Sequence, residues 1–106
     1  MPRLDDDGRS VTLDLHGASV PDALGLADRT VEAAALRGRP TLRIVHGTST
    51  SGRGAERTIK SALHAALDRG DFPEVASDFR HDGAVVLALH PDPAPQAGRL
   101  TLLNVW

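Results

Sequence analysis

The stretch "LDLHG", Leu13–Gly17, decides how the rest of the chain is read. Side chains alternate across a strand, so Leu13 and Leu15 face a core while Asp14 and His16 face the other way. An acid and an imidazole on one face, followed at once by glycine, place reactive groups where the chain turns. Upstream, "SVTLDL" continues the alternation and predicts a short strand. Residues 1–10, "MPRLDDDGRS", are polar and acidic and are read as a flexible leader.

Downstream of the glycine the period changes. Ser19 and Asp22 have the spacing of a capping box, and Pro21 suits a first helical turn. Leu24, Ala27, Val31 and Ala34 recur at helical spacing, and Gly38 is the expected stop. "PTLRIVHG" predicts a second strand with Leu42, Ile44 and Val45 inward. "TSTSGRGAE" is a glycine-containing loop opening a second helix, expected from Glu56 to Asp68 with Ile59, Leu63, Ala66 and Leu67 as its apolar face. A strand is expected around Glu74–Phe79, a turn at Asp82-Gly83, and a central buried strand at "AVVLAL". "HPDPAPQAG" is a proline-rich loop, and "RLTLLNV" predicts a terminal strand.

The resulting order is β-α-β-α-β-β plus a C-terminal extra strand. The fold class is α/β, as an α+β two-layer sandwich: a mixed sheet carrying two helices. A helix between the first two predicted strands implies parallel pairing through a right-handed crossover. The expected divisions are a leader over 1–10, a domain over 11–90, and the loop and terminal strand over 91–106. A terminal strand with an open edge invites pairing, so a homodimer through it is a further expectation.

The totals bound the function. At 106 residues the chain suits one small domain. Two Phe, one Trp and no Tyr leave an aliphatic core and make base stacking on aromatic platforms a poor main mode of binding. The net charge of −2 shows no global attraction to nucleic acid. There is no cysteine, which removes disulfides, zinc–thiolate sites and thiol catalysis. No apolar run reaches membrane-spanning length and the N-terminus is not a signal peptide, so a cytoplasmic location and no membrane partner are expected.

"LDLHG" and "RIVHG" share one pattern: apolar, any, apolar, His, Gly. If their strands are parallel, His16 and His46 emerge at the same C-terminal edge, where open α/β sheets bind ligands. Gly17 and Gly47 let the backbone turn away and a ligand come close. Gly52 and Gly54 flank Arg53 in the loop leading to the second helix, whose N-terminus is receptive to phosphate. Arg57 and Lys60 add positive charge there. Asp14 and His16 have Cα atoms roughly 6–7 Å apart on one face, so Asp14 could contact a ligand or orient His46. Arg37, Arg39 and Arg43 read as solvated arginines that could extend a basic face. The loop is not a P-loop, because it lacks the Gly-Lys-Ser/Thr ending.

"LDLHG", a helix, a strand ending in His-Gly, and the helix "AERTIKSALHAALD" together resemble the Smr (small MutS-related) domain over about Leu13 to Leu89. The resemblance implies a fold similar to the C-terminal domain of translation initiation factor 3. It also implies Asp14, His16 and His46 as the catalytic candidates. The family's second signature, His-Gly-x-Gly, reads His46-Gly47-Thr48-Ser49 here, with Ser49 in place of the last glycine. Gly83 fits a glycine that the family often carries before the last core strand.

Two functions follow. The first is an endonuclease cleaving or nicking phosphodiesters in RNA or DNA. On RNA, one imidazole takes the proton of the ribose hydroxyl and the other protonates the leaving oxygen. Imidazole titrates near 6.5 in water, so both forms are at hand. On DNA, water must attack, and Asp14, His16 and His46 could hold a divalent metal, magnesium or manganese. The expectation leans to no certain cofactor and no dedicated metal ligand. The second function is a non-catalytic module that binds nucleic acid or a ribonucleoprotein with the same loop.

Overall fold

The computed structural model describes residues 2–47, 58–90 and 98–105. Its element order is β1 (Arg3–Asp6), β2 (Ser10–Asp14), α1 (Val20–Leu36), β3 (Thr41–Val45), α2 (Ile59–Arg69), β4 (Val75–Arg80), β5 (Ala84–Leu89) and α3 (Leu102–Val105). The five strands form one mixed sheet in the order β1-β2-β3-β5-β4. β2 and β3 are parallel, and the other neighbouring pairs are antiparallel. This is the two-layer α+β arrangement, with the expected β-α-β-α-β-β order running from β2 to β5.

Alternation sets the two faces of the sheet. Val11, Leu13, Leu42, Ile44, Val85, Leu87 and Leu89 are buried against the helices. Ala23, Leu26, Ala27, Val31 and Ala34 of α1 and Leu63 and Ala66 of α2 complete the same cluster. The alanines let α1 lie close to the sheet, and the core is aliphatic apart from Phe72. Val45, expected inward, pairs in register with Asp14 on the opposite face and is only half-buried. The caps follow local chemistry. The Ser19 hydroxyl accepts the Asp22 N–H at 3.2 Å. Thr58 caps α2 in a reciprocal box with Ser61, so the helix begins at Ile59 rather than at Glu56.

Both chain ends depart from the sequence reading. Within the expected flexible leader, Arg3–Asp6 is an edge strand paired antiparallel to β2, Arg3 opposite Asp14 and Asp6 opposite Val11. The expected terminal strand is a helical turn, Leu102–Val105, so the fifth strand of the sheet comes from the N-terminal end. The turn places Leu100 and Val105 in the core and leaves Leu103 exposed. Asn104 Oδ1 accepts the Thr101 N–H at 2.9 Å and fixes the turn. The strand through which a homodimer was expected is therefore absent among the described residues.

One buried ion pair locks both ends to the domain. Asp6 Oδ1 accepts from Arg39 Nε at 2.9 Å and from the Gly8 N–H at 2.9 Å, while Oδ2 accepts the Leu100 N–H at 2.7 Å. Arg39 also donates to the carbonyls of Arg37 and Gly98. Arg39 is thus a core residue, 1% exposed, and not one of the solvated arginines of a basic face.

Candidate functional site

The parallel pairing of β2 and β3 brings the two His-Gly ends to one edge. Asp14 is level with Val45, and the Leu15 N–H donates to the Val45 carbonyl at 2.9 Å, carrying the ladder one residue beyond β2. His16 and His46 follow directly. Gly17 has φ +85° and Gly47 φ +80°, so each strand leaves the sheet through the left-handed conformation that favours glycine. The N–H groups of His46 and Gly47 both donate to the Gly83 carbonyl at 3.0 Å, which ties this edge to the β4–β5 turn. Gly83 therefore belongs to the construction of the site.

Asp14 and His16 form a local unit. Asp14 Oδ1 accepts the His16 backbone N–H at 2.9 Å, an Asx turn that holds the exposed imidazole at the end of the strand. The carboxylate does not orient His46 as the sequence suggested. The His46 Nδ1–H donates instead to the Gly47 carbonyl at 2.7 Å. A carbonyl can only accept, so Nδ1 carries the hydrogen and Nε2 of the neutral ring holds the lone pair. His46 Nε2 is buried and, among the described residues, without a hydrogen-bond partner.

His64 on α2 joins this edge, although the sequence read it as surface or packing. Its ring lies edge-to-face with His46, centroids 5.8 Å apart at 87°. Its Nε2 is also buried without a partner. Burial, then repulsion from Arg80, His46 and Lys60, pushes its pKa below the ordinary 6.5 against the pull of Asp68. The available signal was helical phase: Lys60, His64 and Asp68 are four residues apart and share one stripe of the helix. Arg80 closes the group by pairing with Asp68 and Asp78, each at 2.7 Å.

The expected anion cradle is only partly in view. The α2 N-terminus uses the N–H groups of Thr58 and Ser61 in its own capping box. Lys60 reaches Asp82 at 3.2 Å, an exposed and easily exchanged pair. Thr48, Ser49, Gly52, Arg53, Gly54 and Arg57 lie outside the described residues. Among the described residues no three His, Asp or Glu side chains form a metal-holding group, so Asp14, His16 and His46 do not meet as a ligand set. His90 ends β5, which runs antiparallel to β3, and so lies at the opposite edge from His46. On the face away from the helices, Asp14 borders a shallow groove of about 420 Å³ with Arg3, Asp5 and Thr12. No described helix is long and apolar enough to cross a membrane.

Comparison with known proteins matches most of this chain to a family. The sequence model of the Smr domain matches residues 13–90, from the start of "LDLHG" to the end of β5. The crystal structure of the Smr domain of Thermus thermophilus MutS2 is similar at 30% identity. The match covers 78% of this chain and 99% of that one, with a TM-score of 0.59. No curated protein matches. β1 and the segment 98–105 lie outside the matched stretch.

Proposed function

Because the chain belongs to the Smr domain family, we propose that it is an endonuclease, cutting RNA or nicking DNA at the edge where His16 and His46 emerge. The observation that carries the reading is the state of His46. Its Nδ1–H is committed to the Gly47 carbonyl, and Nε2, buried and without a partner among the described residues, is the basic atom of the neutral ring, which a substrate must uncover to use. His16 stands on the neighbouring strand, held by Asp14 and open to solvent, suited to giving a proton.

On RNA the step is an internal transfer. His46 Nε2 takes the proton of the ribose 2′-hydroxyl, and the 2′-oxygen bonds to phosphorus. The bond from phosphorus to the 5′-oxygen breaks, and His16 protonates that oxygen. The products are a 2′,3′-cyclic phosphate and a 5′-hydroxyl end. Each proton transfer contributes about 10²–10⁴-fold. On DNA, water attacks phosphorus in place of the missing hydroxyl and His46 takes its proton; the bond from phosphorus to the leaving ester oxygen breaks, and His16 protonates that oxygen. Asp14 acts as a positioning residue for His16. Lys60, once released from Asp82, is the proposed phosphate contact, as are Thr48, Ser49, Gly52, Arg53, Gly54 and Arg57, which lie outside the described residues, and Gly17 and Gly47 leave room for the nucleic acid.

The test uses end-labelled RNA and supercoiled plasmid, each with magnesium, manganese or chelator. The intact protein should cut, and His46→Ala and His16→Ala should each lower the rate by at least about 10²-fold. Asp14→Asn should lower it less. Cutting that survives both histidine variants overturns the reading. A gel shift without cutting replaces it with the binding module, and the absence of both cutting and binding removes nucleic acid as the target.

A further inference from the structure

We infer that His64 is the positioning residue of the site, holding the His46 ring so that Nδ1–H stays on the Gly47 carbonyl and Nε2 stays the basic atom. This rests on the reading of His46 as the base. Two contacts define the orientation of the His46 imidazole. One is the Nδ1–H bond to the Gly47 carbonyl at 2.7 Å, which selects the tautomer. The other is the perpendicular His64 ring, which stops rotation about the terminal side-chain torsion. That torsion has a broad, roughly two-fold profile, so the torsion itself does little to hold the ring and the hydrogen bond to Gly47 and the His64 contact must do so. A flip would carry Nδ1 away from Gly47 and put a carbon where the Nε2 lone pair now lies.

The chemistry of position 64 fits this task better than plain packing does. Its neighbours Ala62, Leu63 and Ala66 already supply the buried apolar face of α2. An imidazole with an unpartnered, buried Nε2 adds a desolvation cost that leucine or alanine would avoid. Edge-to-face contact between rings is directional, unlike aliphatic contact. The surroundings also disfavour a charge on the positioning ring: burial first, then Arg80, His46 and Lys60, oppose its protonation, and Asp68, the opposing carboxylate, is drawn onto Arg80. A neutral ring adds no second cation beside a base that must accept a proton.

The experiment compares the intact protein with His64→Ala and His64→Phe. Long-range nitrogen–proton NMR reads the His46 tautomer without any substrate. In the intact protein His46 should show protonated Nδ1 and bare Nε2. His64→Ala should average the two tautomers and lower kcat about 10-fold with KM little changed. His64→Phe keeps an aromatic edge and should restore both the single tautomer and most of kcat. Circular dichroism on each variant separates these effects from unfolding. An unchanged His46 tautomer in folded His64→Ala overturns the inference, as does failure of His64→Phe to restore it. If no variant cuts but the tautomer responds as stated, the nuclease reading fails and the positioning contact stands. If cutting needs His46 and ignores His64, the nuclease reading stands and this inference falls.

Discussion

Replacing Asp6 with alanine should destabilise the domain more than any other single change at its ends. The two side chains of the Asp6–Arg39 pair are 0% and 1% exposed, so bulk water does not reach the pair. Three donors lose their acceptor together: Arg39 Nε, the Gly8 N–H and the Leu100 N–H. Breaking one partner of a buried pair costs about 3–5 kcal/mol, because the remaining charge stays buried. A small domain holds only about 5–15 kcal/mol in total. With a urea slope of about 2 kcal/mol per molar, the midpoint should fall by about 2 M. Asp6→Asn keeps an acceptor oxygen and should lose less. His46 and Gly47 lie at a different edge, so either variant should retain cutting activity at temperatures where it remains folded. Limited proteolysis should show both chain ends released in Asp6→Ala. A urea midpoint within about 0.5 M of the intact protein would refute the claim that this pair holds the ends. The acid limb gives a second check. Burial pushes the Asp6 pKa up, but hydrogen bonds from Arg39, Leu100 and Gly8 and the Arg39 charge outweigh it and hold it below the ordinary 3.8. The contribution is therefore complete above about pH 4 and is lost as pH falls through the lowered folded value.

Two further outcomes follow from the site. Gly47→Ala meets no atom within 4 Å, so its cost is the left-handed backbone alone, about 1–2 kcal/mol. Thermal unfolding should drop by about 5–10 °C, and cutting should fall with it because the Gly47 carbonyl orients His46. An unchanged melting temperature would mean that the turn relaxes. The lowered pKa of His64 makes the unfolded chain the better proton binder. Stability should therefore be fullest above pH 6.5 and decline as pH falls through the interval between 6.5 and the folded value. Urea midpoints from pH 8 to pH 5 measure this, and His64→Phe should remove that part of the slope; an identical slope in the variant would contradict it.

What the sequence by itself determined is local in origin. Strand alternation around Leu13 and Leu15, the Ser19 cap and the apolar stripe of α1 depend on residues within a few positions of each other. The βαβ handedness then places β2 beside β3, and the repeated His-Gly endings place His16 and His46 at one edge. Tertiary structure decided the rest, because the deciding partners are far apart in the chain. Asp6 looks like a leader residue until Arg39, 33 positions away, neutralises it, and only then does "RLDD" become a strand. "RLTLLNV" alternates like a strand, yet the Leu100 N–H is taken by Asp6, 94 positions away, and the chain winds into a helical turn. Asp14 could have served either imidazole, but the turn into Gly17 gives its carboxylate to the His16 backbone N–H instead. For His64 the sequence offers only its helical phase with Lys60 and Asp68. Its place beside His46 comes from packing α2 against the sheet, where a long-range contact, and not a motif, brings two rings together.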